Sequence, residues 1–219
     1  MTAIDSSAEF VPEWLGNWGP PGGFDPEAGV FVSDSSTVAS FPLEGLDVFG
    51  DVDDESFWFA HRAKIILGLI DEICPTPGAV LEVGSGSGTV AAAIAAAGRN
   101  VMAVEPNAGG AATARRRGVS AAFDGTLQEA RLPDDTFDVV GFFDVIEHLD
   151  EWEDVLAEAH RVIRPSGHLV VTVPAYQWLW SEHDDWNEHK RRYTTASLTA
   201  DLATLGFTVD RSSYFFAPF

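Results

Sequence analysis

Along most of the chain, short apolar runs alternate with stretches whose apolar residues recur at helical spacing. Val80-Leu81-Glu82-Val83 runs into Gly84-Ser85-Gly86-Ser87-Gly88, and Thr89-Val90-Ala91-Ala92-Ala93-Ile94 then opens a helical stretch. That order is strand, tight turn, helix. Upstream, Asp53, Asp54, Glu55 and Ser56 precede Phe59, Ala63, Ile66, Ile70 and Ile73 at helical spacing, which predicts a helix over about 55–73, stopped by Pro75 and Pro77. Downstream, the predicted strands are Asn100–Glu105, Val119–Phe123, Phe137–Phe143 and His168–Pro174, with helices over about 107–117 and 151–163 between them. A helix over 195–205 and a strand from Phe207 to about Phe216 close the chain. Such alternation predicts an α/β fold, a mostly parallel sheet doubly wound with helices on both faces.

Residues 1–50 break this rhythm and are read as an N-terminal arm ahead of a domain spanning 51–219. The arm is rich in Gly, Pro, Ser and Asp, yet Trp14, Trp18, Phe24, Phe31, Phe41 and Phe49 make it too aromatic for a disordered tail. Val30-Phe31-Val32 and Thr37–Phe41 could pair as a hairpin, or the arm could wrap the surface irregularly. Either form could cover a substrate or support a homodimer.

Composition narrows the partners. A net charge of −21, with two lysines in the chain, repels phosphate backbones and anionic membranes, so neither nucleic acid nor a membrane is an expected partner. Cys74 is the single cysteine, which leaves no internal disulfide and suits a reducing cytoplasm. No leader pattern and no long apolar run suggest export or a membrane span.

The chemistry begins at the glycine turn. Glycines at 84, 86 and 88 let the backbone turn sharply and bring main-chain N–H groups against a ligand. Their spacing departs from the G-x-G-x-x-G of dinucleotide sites. Glu105 ends the second strand about twenty residues on, where a two-oxygen acceptor can take both hydroxyls of a ribose.

Leu81-Glu82-Val83-Gly84-Ser85-Gly86-Ser87-Gly88 resembles motif I of the class I S-adenosylmethionine (SAM) dependent methyltransferases. Leu132-Pro133 with Phe137-Asp138-Val139-Val140, Asp144-Val145-Ile146-Glu147-His148-Leu149, and Arg161–Val171 resemble later blocks of the same family, and the likeness covers about 57–209. The resemblance implies a Rossmann-like sheet of seven strands. Its last strand has no room before Phe219, so it is either missing or supplied by the N-terminal arm. It also implies that Arg62, Glu82, Gly84, Ser85, Gly86, Gly88, Glu105, Pro106, Asn107, Leu127, Gln128, Glu129, Phe143 and Asp144 surround SAM, whose spent form is S-adenosylhomocysteine. Gln128 stands where the family commonly has an Asp for the adenine amino group, and Asp124 is the other residue able to take that place.

The segment Pro174–Thr194 concentrates aromatic, histidine and basic residues beyond the end of a strand. Loops of that length in a compact domain are usually functional. It is read as the wall of an acceptor pocket, with Tyr176, Trp180, Arg191, Arg192 and Tyr193 as substrate contacts. A hydroxyl acceptor needs a base near neutrality, for which His148, His183 and His189 are the candidates. The expected activity is methyl transfer from SAM to an oxygen, less readily a nitrogen, of a small polar metabolite. An NAD(P)-dependent oxidoreductase and a catalytically silent SAM-binding protein are the alternatives. Some relatives ligate a divalent metal through an E-x-x-E-H version of the 144–149 block. This chain has Asp144 at the first position, and no metal is assigned to it.

Overall fold

The computed structural model describes residues 10–35, 57–74 and 76–216. Its centre is β3 (Ala79–Val83), five buried residues in a row. The other strands are β1 (Phe24–Asp25), β2 (Val30–Val32), β4 (Asn100–Glu105), β5 (Ala121–Asp124), β6 (Phe137–Phe143) and β7 (Ile163–Thr172). They form one sheet in the order β1-β2-β5-β4-β3-β6-β7. All neighbours are parallel except β1 and β2. Strands this uniformly apolar belong in a sheet covered on both faces.

Because successive side chains point to opposite faces, each strand feeds two cores. Val80, Val101, Ala103, Ala122 and Val139 share one core with Ile66 and Ile70 of helix α1 (Phe57–Ile73), Val90 and Ile94 of α2 (Thr89–Ala96), and Ala111 and Ala114 of α3 (Ala108–Arg116). Leu81, Met102, Val104, Phe123 and Phe142 face the other side. There they meet Leu127 and Ala130 of α4 (Leu127–Ala130) and Leu156, Ala159 and Val162 of α5 (Trp152–Val162).

The N-terminal arm completes that second face. Leu15 and Trp18 are buried in it, and the Trp18 indole donates to the Ala130 carbonyl at 2.8 Å. Trp18 also meets Phe31 edge-on, with ring centroids 4.9 Å apart. Buried aromatic area here does what a helix would otherwise do.

Val30–Val32 is a strand as expected, but it pairs antiparallel with Phe24–Asp25. The turn between them is held by the Asp25 carboxylate, which accepts from the N–H groups of Glu27 and Ala28. The expected partner at Thr37–Phe41 lies outside the described residues. The arm does supply strands, β1 and β2, which bring the sheet to seven and lie at its edge beside β5.

Two other expectations need correction. The fifth strand starts at Ile163, not His168, running directly out of α5 across a register shift opposite Phe137 and Val139. No strand forms at 207–216, and among the described residues none follows Thr172. Phe207 and Val209 instead lay their side chains on the second core, and the polar run Asp210-Arg211-Ser212-Ser213 that follows is exposed.

Candidate functional site

The carboxyl ends of β3, β4 and β6 open into a cleft of about 1870 Å³, lined by the glycine turn on one side and by the segment after β7 on the other. Gly84, Gly86 and Gly88 all have left-handed backbones, with φ of 69°, 53° and 75°. Gly88 packs against α3, where an added Cβ would stand 2.5 Å from the Ala114 Cβ. At Gly86 an added Cβ meets nothing within 4 Å, so this glycine faces open cleft. The turn thus presents bare backbone to whatever occupies the cleft.

Two acids flank that backbone. Glu105 accepts from the Gly86 N–H at 2.7 Å. Burial pushes its pKa up to about 7, against the pull of that N–H, and Asp124 adds to the rise. Glu82 is 3% exposed, and its Oε2 has no hydrogen-bond partner among the described residues. Burial lifts its pKa to about 8, partly offset by the Arg62 charge. A buried carboxylate with an unused oxygen suits a cationic ligand.

Arg62, itself buried, donates to the Phe143 carbonyl and pairs with Asp144 at 2.9 Å. Asp144 sits in a left-handed backbone, φ 59°, and accepts from the Thr172 hydroxyl at 3.2 Å. Strain of that kind in a non-glycine residue is commonly found at ligand sites. Ser85, Pro106, Leu127 and Gln128 also line the cleft.

Three residues expected at the cofactor are used otherwise. Gly88 touches α3, Asn107 caps α3 by accepting from the Gly110 N–H at 3.0 Å, and Glu129 closes a capping box with Thr126 and accepts from Ser35. None of the three is among the lining residues of the cleft.

Opposite the turn, helix α6 (Glu182–Trp186) and the chain after it are built around Asp184, whose side chain is fully buried. Ser181 caps the helix, and Asp184 accepts from its N–H at 2.8 Å. The Arg192 guanidinium grips both Asp184 oxygens, at 2.7 and 2.8 Å, and the His189 Nδ1 stands 2.8 Å from one of them. Burial works against the Asp184 charge, but these partners outweigh it and hold the carboxyl below its ordinary range. Tyr176 and Tyr193 exchange backbone contact through Tyr176 N–H to the Tyr193 carbonyl at 2.7 Å, which ties the two ends of the segment together.

This arrangement separates the three candidate histidines. His148 and His189 meet edge-on with ring centroids 4.7 Å apart. Burial, with the His189 ring beside it adding to the effect, lowers the His148 pKa to about 4. His183 lies on the exposed side of α6, stacked near Trp186. Of the expected substrate contacts, Tyr176, Arg192 and Tyr193 line the cleft, whereas Trp180 and Arg191 do not. The Trp180 indole donates instead to Asp185 at 2.9 Å.

Glu147 and Asp184 were not among the expected site residues. Both are fully buried. Asp184 carried a signal, since Ser181-x-x-Asp184 is a capping pattern that fixes where the helix starts. Glu147 stood inside a quoted block with nothing to mark it as buried.

A doubly wound sheet, a glycine turn after its central strand and a carboxylate at the end of the next make a nucleotide-type cofactor site of the Rossmann kind, and the family match decides which cofactor it serves. The family model described as "Methyltransferase domain" matches residues 58–212, and the chain belongs to that family. It is 32% identical over 180 residues to a "Probable S-adenosylmethionine-dependent methyltransferase" of Mycolicibacterium smegmatis, covering 81% of this chain and 69% of that one. A relative so described from Mycobacterium tuberculosis is 36% identical over 141 residues, covering 64% of this chain and about half, 51%, of its own length. Among solved structures, a SAM-dependent methyltransferase of Thermotoga maritima, described as a possible histamine N-methyltransferase, superposes with a TM-score of 0.58 at 26% identity. The match covers 74% of this chain and 81% of that one. The enzyme class and its SAM cofactor follow from the family, and neither the oxidoreductase nor the silent binding protein is favoured.

Proposed function

We propose that this chain transfers the methyl group of SAM to an oxygen of a small polar metabolite held between the glycine turn and the 174–194 segment. The observation that carries the reading is the His148–His189 pair, backed by buried Asp184 and set in the same cleft as the glycine turn. Glu82 and Asp144 supply negative charge toward the methionine end of SAM. Glu105 takes the ribose hydroxyls, while Leu127 and Gln128 border the adenine. The bound cofactor supplies a methyl group already activated by its sulfonium. The chain's own residues therefore need only orient the acceptor and assist the loss of its proton.

His148 and His189 are placed to activate the acceptor hydroxyl, and His183 is set aside by its exposure. Among the described residues no helix is long and apolar enough to cross a membrane. With the acidic surface, this supports a small-molecule acceptor in the cytoplasm over nucleic acid or lipid.

The test is a panel of hydroxyl and amine acceptors with labelled SAM. His189→Gln should lower turnover of the accepted compound by a hundredfold or more, on the scale of a lost acid–base group. SAM affinity should stay within about threefold, a change under roughly 0.7 kcal/mol. Full turnover in that variant, or a panel in which only amines are methylated, would refute the reading.

A further inference from the structure

We propose that residues 210–216 form a strap across the mouth of the cleft, and that Tyr214 and Phe216 are the fastenings that control how fast the cofactor enters and leaves. The strap follows helix α7 (Thr195–Thr204) in the chain and leaves the second core after Val209. Among the described residues, nothing from Thr208 to Phe216 makes a backbone–backbone hydrogen bond. A segment without those bonds is held by its side chains, and it opens at the low end of the range of local stabilities.

Those side chains reach both banks of the cleft. On α1, Arg211 pairs with Glu72 at 2.9 Å, and Phe216 packs on Trp58 with ring centroids 4.1 Å apart and meets His61 edge-on at 5.1 Å. Glu72 lies near the end of α1 and Trp58 near its start, so the strap runs along the helix against its direction. On the opposite bank the Tyr214 ring stacks on Tyr176, with centroids 4.8 Å apart and 20° between the planes. The Tyr214 hydroxyl accepts from the Thr195 N–H at 3.0 Å, a donor at the start of α7 with no partner inside the helix. Trp58, Tyr176, Thr195 and all of residues 210–216 border the cleft. One short segment fastened to both banks lies across the opening between them.

The fastenings are light. Arg211 and Glu72 are both exposed, and an ion pair in water holds little. Trp58 and Tyr214 stay 45% and 40% exposed although each is stacked. Tyr176 is the fixed half of its pair, since its N–H is bonded to the Tyr193 carbonyl at 2.7 Å, and Tyr214 is the half that moves. None of Glu72, Trp58, His61, Tyr176 and Thr195 is among the residues assigned to the cofactor above. The strap is therefore a gate indifferent to whether ligand is bound. Such a gate slows entry and exit alike and leaves Kd unchanged. The proposal concerns the cofactor, which the family establishes, and does not depend on which acceptor atom is methylated.

The experiment uses the full chain and S-adenosylhomocysteine. Association is followed by stopped-flow tryptophan fluorescence and dissociation by chase of labelled ligand. In Tyr214→Ala and in Phe216→Ala both rate constants should rise by about tenfold or more, as for a strap closed about nine-tenths of the time, while Kd stays within about threefold. Tenfold in the closing equilibrium is about 1.4 kcal/mol, the size of one aromatic contact. Trp178→Ala removes an exposed ring beside Tyr176 that does not border the cleft, and it should leave both rates as in the parent. Where one strap variant fails to fold, the other carries the test. Unchanged rates would overturn the proposal, as would a faster dissociation matched by an equal loss of affinity, which marks a ligand contact and not a gate. Cofactor affinity is measured in the same series, so a failure of the strap leaves the methyltransferase assignment standing.

Discussion

Gly86 and Gly88 sit two residues apart in one turn, both left-handed, and an alanine at each should fail for a different reason. A left-handed alanine costs about 1–2 kcal/mol relative to glycine. At Gly86 that is the whole expected penalty to the ligand-free protein, because the new Cβ meets nothing within 4 Å. At Gly88 the Cβ would stand 2.5 Å from the Ala114 Cβ and 2.7 Å from its Cα, both parts of a helix that cannot rotate away. Overpacking of this sort adds about 1–3 kcal/mol, for a total of roughly 2–5 kcal/mol. For a chain of this length about 2–4 °C accompany each kcal/mol, so Gly88→Ala should lower the melting temperature by on the order of 10 °C and Gly86→Ala by a few degrees. Cofactor affinity should rank the other way. Gly86→Ala places its methyl in the open cleft where bare backbone faces the ligand, and binding of S-adenosylhomocysteine by calorimetry should fall by tenfold or more, about 1.4 kcal/mol. Gly88→Ala disturbs the ligand only by displacing the turn. Unchanged affinity in Gly86→Ala, or equal stability of the two variants, would refute the reasoning.

Two further outcomes are expected. The Glu82 carboxyl is raised from 4.5 to about 8 by burial, so the folded ligand-free protein holds a proton that the unfolded chain has released. The stability tied to this group is fully present below about pH 4.5 and is lost as pH rises through about 8; Glu82→Gln, which cannot ionise, should flatten the fall in melting temperature over that window, and an unaltered slope would count against it. Arg192→Ala strips buried Asp184 of its fork and should cost about 3–5 kcal/mol in urea denaturation, whereas a loss below about 1 kcal/mol would mean that solvent reaches the acid.

The sequence by itself determined the parallel core. Five strands, five of the helices and the glycine turn were legible because their signals are local: apolar runs, helical spacing, and glycines where the backbone turns left-handed. It also carried the resemblance that implied the cofactor class, and Glu82, Gly84–Gly88 and Glu105 lie on contiguous elements whose order along the chain sets their position in the sheet. Where the N-terminal arm goes was decided only in three dimensions. Val30–Val32 reads as a strand, but whether it pairs with β5 or lies beside β7 depends on which edge Trp18 and Phe31 can reach and bury. The final strand failed for a similar reason, because an apolar stretch such as Phe207–Val209 can satisfy its side chains on the core without ever finding a backbone partner. The acceptor wall is the clearest case. His148, His183 and His189 look alike in the sequence, and what separates them is the burial of Asp184 and Glu147. That burial exists only once the chain after α6 has folded against the turn after β6, where the Lys190 N–H meets the Glu147 carbonyl and His189 meets His148.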